Sequence, residues 1–223
     1  MRRPTSPNLI RQQRGFTILE LMIATTIVSV ILVLVTAVLI GIGNLFYKGN
    51  SQAITQDTAR SITNDISQQL QLNSGPIASS VSTVGGTVYA YCTSTYRYSF
   101  IENQEIGTGT GQVQHVLWRD PLPAGGCIAI PYSEMNSPIP ASSTTGGTEL
   151  MPPNTRLTCL DINNSCAAPN GPVGSPFILT VGVAYGDPTL TTGSDVNTTC
   201  QGLSGDQFCA TANLSTTVLQ RLQ

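Results

Sequence analysis

The chain has 223 residues, of which 40% are hydrophobic and only 10% charged, against about 25% charged in an ordinary soluble domain. So few charges, together with 21 Gly and 14 Pro, exclude a highly charged disordered chain and a long soluble coiled coil. Charge is also segregated: Arg2, Arg3, Arg11 and Arg14 precede Gly15 with no acid among them, while from Phe16 onward 6 basic residues face 12 acidic ones, which is not the footprint of a nucleic-acid binder.

After the basic leader comes an apolar segment. No charged residue occurs from position 21 to position 47, a run of 27 residues. As a helix this run would be about 40 Å long, enough to cross a hydrocarbon core of roughly 30 Å. Its centre, IVSVILVLVTAVLIGIG, has no polar face, which argues against a soluble amphipathic helix. It is about twice the length of the apolar region in a secretory signal. The segment therefore reads as a retained transmembrane helix, with the four arginines holding the N-terminus in the cytoplasm and the remainder outside.

Glu20 does not fit a generic anchor. It stands in Phe16-Thr17-Ile18-Leu19-Glu20-Leu21-Met22-Ile23, and a carboxylate at membrane depth costs about 2–3 kcal/mol or more. No Lys or Arg lies between Arg14 and Lys48 to pair with it. Cleavage after Gly15 would expose a cationic α-amino group on Phe16, and that amine on a neighbouring subunit would neutralise Glu20 among packed helices. The alternative is a carboxylate that snorkels to the cytoplasmic interface without a partner.

These residues carry a family resemblance. Arg14-Gly15-Phe16-Thr17-Ile18-Leu19-Glu20-Leu21-Met22, behind a short basic leader and ahead of a long apolar helix, resembles the processing site of type IV prepilins. The likeness covers roughly residues 11–40. It implies that a membrane-embedded aspartyl peptidase cuts between Gly15 and Phe16 and methylates the Phe16 amine, and that Glu20 serves assembly into a helical filament. The implied partners are that prepilin peptidase/methyltransferase, other pilin subunits through helix packing, an inner-membrane assembly platform, and the lipid bilayer before assembly. Unlike many major pilins, the run has no helix-kinking Pro; Gly41 and Gly43 are its only weak points, each costing about 1 kcal/mol of helix propensity.

Helical spacing persists beyond the apolar run. Residues 48–72 contain no Pro, and Ala59, Ile62, Ile66 and Leu70 form an apolar stripe able to dock on a sheet. Asn73-Ser74-Gly75-Pro76 is a stop signal. The expected organisation is a leader over 1–15, an assembly helix over 16–47, its amphipathic half over 48–74 and an extracytoplasmic β-rich domain over 75–223.

In that last region Thr, Ser, Gly, Pro and Asn surround short β-type runs. Residues 87–93 and 96–102 read as a hairpin about Ser94, and 112–119, 128–132, 156–162, 177–185 and 213–220 as further strands. In 177–185 alternation places Phe177, Leu179, Val181, Val183 and Tyr185 on one face. The fold class is α+β, a long helix on an antiparallel sheet. Breaker-rich loops fill 138–153 and 167–176, and no internal repeat is present.

All six cysteines, Cys92, Cys127, Cys159, Cys166, Cys200 and Cys209, fall in this outer region, where an even count points to disulfides. Six cysteines permit 15 pairings. Cys159–Cys166 and Cys200–Cys209 are the economical local loops and leave Cys92–Cys127. Free buried thiols are the main rival. Zinc is disfavoured, because there is no C-x₂-C pair and the sole His115 is far from any cysteine in sequence.

Other constellations carry little chemistry. His115 has no G-x-S-x-G elbow beside it, so a packing or surface role in a strand is favoured. Gly107-Thr108-Gly109-Thr110-Gly111 lacks a Walker lysine. Asp187, Asp195 and Asp206 lack EF-hand spacing and read as solvated loop carboxylates. Asn163, Asn197 and Asn213 match a glycosylation pattern short enough to arise by chance. Tyr89, Tyr91, Tyr96, Tyr98 and Phe100 crowd into twelve residues. They would form either a binding surface helped by Arg97 or, as favoured here, cross-strand packing over the helix.

The expectation is a non-enzymatic, cofactor-free, prepilin-like subunit. It would start as a single-pass inner-membrane protein and then enter a type IV pilus or related filament, as a minor subunit. A pseudopilin of a secretion or competence machine shares the same N-terminal features, and a membrane-tethered receptor or enzyme that never assembles is the rival from another class.

Overall fold

The computed structural model describes residues 15–73, 75–107, 112–162, 176–202 and 206–220. The chain divides into two compact units, residues up to Asn44 and residues from Leu45 onward. Helix α1 (Ile18–Leu72) runs through that boundary. It contains no proline, and Asn73 stands at its end as the sequence suggests. The Asn73 carboxamide oxygen accepts the Ser94 backbone N–H at 2.8 Å, and Gln220 donates to the Asn73 carbonyl, so polar groups at the helix C-terminus find partners instead of being orphaned.

In the second unit, strands follow in chain order: β1 (Ala78–Ser82), β2 (Val88–Cys92), β3 (Tyr96–Phe100), β4 (Leu117–Pro121), β5 (Thr148–Glu149), β6 (Thr155–Ile162), β7 (Phe177–Tyr185), β8 (Thr191–Thr192), β9 (Thr199–Cys200) and β10 (Ala210–Val218). β1 to β5 form an antiparallel meander; β10, β7 and β6 form a second antiparallel sheet; β8 and β9 are a small hairpin. The fold class is therefore α+β with antiparallel sheets. Two expected strands differ. Residues 112–116 and 128–132 are irregular, although Val113, Val116, Ala129 and Ile130 are buried; apolar alternation there reports burial without a strand partner.

The meander sheet has two working faces. Tyr89, Tyr91, Tyr98 and Phe100 join Ala59, Ile62, Ile66 and Leu70 of α1 in one core, where Tyr91 stacks on Phe100 with centroids 5.8 Å apart. Asp65 of α1 ties the layers together by accepting the Tyr98 hydroxyl at 3.0 Å and a guanidinium N–H of Arg119. The opposite face carries Cys92, Arg97 and Asp120 and is covered by loops. Arg97 and Asp120, direct cross-strand neighbours, form a fully buried bidentate pair at 3.0 and 2.6 Å. The guanidinium also donates to the carbonyls of Ile128 and Ser142, and Asp120 accepts the Thr144 N–H at 2.9 Å. A single ion pair thus pins two otherwise irregular loops to the sheet and satisfies their backbone in doing so.

In the second sheet Phe177, Leu179, Val181 and Val183 of β7 are buried on one face while Ile178 is exposed. β6 is an edge strand buried along its whole length: Leu157 accepts the Asn103 N–H at 2.8 Å, and Arg156 pairs with Glu105 through an isolated antiparallel backbone bridge. A bulge falls between Leu157 and Cys159, beside Gly182 of β7, where an added Cβ would lie 2.5 Å from the Thr158 hydroxyl and 2.6 Å from Asn213. Tyr91 of β2 donates to Asp161 of β6 at 2.8 Å, linking the two sheets. β10 is tethered at both ends to the outer half of α1, through the Phe208–Tyr47 ring contact at 5.7 Å and through Gln220 at Asn73. The span fits, since 26 helical and 12 extended residues both cover about 40 Å.

Candidate functional site

From Phe16 to Tyr47 every large apolar side chain is exposed, and the most apolar window of α1 has no buried residue. By length and composition this helix can cross a membrane. The hydroxyls within it are already satisfied: Thr25 and Thr26 bond the Met22 carbonyl, Ser29 bonds Thr26 and Thr36 bonds Leu32. Hydroxyls bonded back to the preceding turn need no water, so they add little cost in hydrocarbon.

Glu20 is the exception to this apolar lining, and the structure assigns it a local role. Its Oε2 accepts the Thr17 N–H and the Thr17 hydroxyl, each at 3.0 Å, while the Glu20 N–H donates to Thr17 Oγ1 at 3.2 Å. This reciprocal arrangement is a capping box: Thr17 is the N-cap residue and Glu20 the third helical residue, with the carboxylate near the positive end of the helix dipole. The sequence carried the signal, T-x-x-E before an apolar run, and a reading focused on membrane depth alone passes over it. Oε1 accepts no hydrogen bond among the described residues, so the carboxylate keeps an open oxygen. Thr17 and Glu20 both lie beyond Gly15, and the cap needs nothing N-terminal to the Thr17 amide.

Gly15 and Phe16 precede this cap in irregular, exposed chain. A Cβ added at Gly15 would meet nothing within 4 Å, and the residue is not in the left-handed region. The chain's own conformation therefore does not demand glycine at this position.

In the outer unit the cysteine pairs Cys92–Cys127 and Cys200–Cys209 are disulfides. Cys159 is disulfide-bonded as well; its expected partner Cys166 lies outside the described residues. Cys127 sits in one of the loops that Arg97 holds, so its disulfide and the ion pair fasten the same loop layer.

The remaining candidates are structural. Arg97 is buried and unavailable to a surface ligand, and Tyr91, Tyr98 and Phe100 are core, as the packing reading expects. His115 is buried but outside any strand, with Nε2 2.9 Å from the Ser137 carbonyl, Nδ1 3.3 Å from Glu149 Oε2 and its ring 4.3 Å from that of Trp118. Burial opposes its protonation, but the Glu149 carboxylate and two backbone carbonyls outweigh it and raise the imidazole above its ordinary value. Glu102 is pushed up to about 7, first by burial and then by Asp195 and Asp161. Asp187 caps a 3-10 turn by accepting the Thr189 hydroxyl and N–H, which hold its carboxyl below the usual range. Asn213 donates to the Val196 carbonyl and Asn197 belongs to a 3-10 turn. Asn163, residues 108–111 of the Gly-Thr run and the side chain of Asp206 lie outside the described residues.

Residues 10–36 match the family described as the prokaryotic N-terminal methylation motif. No curated protein and no solved structure matches the chain.

Proposed function

We propose, from the match of residues 10–36 to the prokaryotic N-terminal methylation motif at the head of a long apolar helix, that this chain is a type IV prepilin-like protein and a filament subunit with no enzymatic role of its own. It is inserted as a single-pass inner-membrane protein, cut between Gly15 and Phe16, methylated on the new Phe16 amine, and assembled through α1 into a type IV pilus or related filament. The observation that supports this reading most is the uncovered helix: apolar all round and exposed from Phe16 to Tyr47, with one carboxylate at its start.

Such a surface is unfavourable in water and must be covered by something other than this chain. Lipid covers it first. Extraction from the bilayer is favourable only where neighbouring helices cover it again, and helices that pack in a dry filament core place Glu20 among apolar side chains. Its open oxygen then takes the Phe16 amine of an adjoining subunit, since a buried charge needs a paired and hydrogen-bonded partner. The partners in this reading are a prepilin peptidase/methyltransferase, other pilin subunits and an inner-membrane assembly platform. A long outer region with six cysteines and loops pinned to its sheet favours a minor subunit that caps or primes the fibre.

The test is intact and N-terminal mass spectrometry of the protein from a host with an active prepilin peptidase. The reading expects a chain that begins at Phe16 and carries one added methyl group. A chain that still begins at Met1 there would overturn it.

A further inference from the structure

The outer unit contains a cleft that neither disulfide nor helix packing explains. Its volume is about 620 Å³, within the range of small-molecule sites, roughly 300–1,000 Å³. It is lined by the amides Asn103, Gln104, Gln112 and Asn154, by the carboxylate Glu105 and by the ring of Tyr132. We propose that this cleft binds a neutral oligosaccharide.

The lining chemistry selects that class. Among the described residues Glu105 is the only charged one in the lining, and Arg156 of β6, which pairs with it through a backbone β-bridge, is a positive charge near enough to feel it. A free anion would meet a carboxylate and find no cation among the described residues of the wall. Carboxamides both donate and accept hydrogen bonds, as do sugar hydroxyls, and two adjacent hydroxyls match the two ends of one amide or one carboxylate. The side-chain amides of Asn103, Gln104 and Asn154 have no hydrogen-bond partner among the described residues and are exposed to a ligand. Tyr132 is half-buried and brings an aromatic ring with a polar tip to the lining, a group suited to the C–H face of a pyranose ring.

The cleft is also built in advance. Of the three non-glycine residues described with positive φ, Asn103 (58°) and Asn154 (60°) both line it. Backbone in that region persists where surrounding structure holds it, and such residues gather at binding sites. Here the hold is visible: Asn103 N–H bonds the Leu157 carbonyl at 2.8 Å, Gly107 N–H the Val113 carbonyl at 2.9 Å and Gly186 N–H the Asn154 carbonyl at 3.0 Å. Walls fixed before binding spare the ligand the cost of ordering them. The site uses none of the clustered strand tyrosines, which are occupied in the core.

Saturation-transfer NMR on the full chain, held in a detergent that carries no sugar, tests the proposal with maltotriose and chitotriose as probes. Asn103→Gly/Asn154→Gly removes two amides, while glycine keeps both left-handed conformations without strain. The expected result is saturation transfer to at least one of the two neutral trisaccharides. That transfer should weaken by about tenfold or more in the double variant, with the outer-unit unfolding midpoint nearly unchanged, and sialyllactose, which adds a carboxylate, should bind more weakly. No transfer to either neutral trisaccharide at millimolar concentration, equal transfer in the double variant, or tighter binding of sialyllactose would overturn it. These outcomes do not depend on cleavage at Gly15 or on filament formation.

Discussion

Two stretches of α1 meet opposite demands. Residues 51–70 bury one face, with Ala59, Ile62, Ile66 and Leu70 in the core and Asp65 bonded to two strands, whereas residues 18–44 contain no buried position. The outer stretch is stabilised by contacts that its own chain supplies. The inner one is satisfied internally only in its backbone, its hydroxyls and its Thr17–Glu20 cap, and its apolar surface is exposed. One helix is thus the spine of a folded unit over its outer stretch and, in the function proposed above, the surface that joins subunits over its inner one.

Substitutions separate the two. The largest effect on the outer unit is expected from Arg97→Ala, which leaves Asp120 buried without its partner and releases two loops; about 3–5 kcal/mol of stability should be lost. Trp118, the only tryptophan, lies in that unit, so its fluorescence during denaturant unfolding of the full chain reads this loss directly. An unchanged midpoint would show that the pair does not hold the loop layer. Removing Cys92–Cys127 as the double serine variant should cost about 4 kcal/mol by loop-closure entropy, and removing Cys200–Cys209 about 2.5 kcal/mol, because the closed loops span 35 and 9 residues. The same tryptophan signal ranks them, and the reverse order would contradict loop length as the source of the difference. Thr17→Ala should cost the inner stretch about 1 kcal/mol. It should speed hydrogen exchange in the first turn of α1 and leave the Trp118 midpoint in place.

The smallest expected effect is on pH dependence. Glu102 is raised to about 7 in the folded chain by burial and by facing Asp195 and Asp161. The unfolded state releases its proton nearer 4.5, so stability falls as pH rises between those values. His115 is raised too; its contribution is complete below the ordinary imidazole value and is lost as pH climbs through the folded one. Both slopes have the same sign, so the outer unit should be more stable at pH 5 than at pH 8. Glu102→Gln should flatten the lower part of the slope in circular-dichroism melts, and a slope of unaltered steepness would contradict the assignment.

Much of this was legible in the residues, and the rest was hidden for definable reasons. The stripe on α1 and the alternation of β7 follow from local periodicity, which is how a half-buried element writes itself into a sequence, while the β2–β3 hairpin and β6 follow from short β-type runs between breakers. β1 did not show, because ASSVS has no apolar alternation and owes its conformation to pairing with β2. Residues 128–132 showed the wrong thing: Ala129 and Ile130 are buried within an irregular loop that Arg97 and the Cys92–Cys127 disulfide hold in place. Arg97 and Asp120 stand 23 residues apart, with nothing local to mark them as partners. At the N-terminus the motif that residues 10–36 match was legible, whereas the T-x-x-E cap between Thr17 and Glu20 was missed, because a charge at membrane depth also accounts for the same glutamate.

The central claim is that Glu20 joins one subunit to the next. Its most direct test is incorporation of Glu20→Val into filaments sheared from cells, measured against unaltered chain, with N-terminal mass spectrometry of both. The account predicts that the variant is processed to a chain beginning at Phe16, remains in the membrane and is absent from the filaments. Normal incorporation of the processed variant would contradict it.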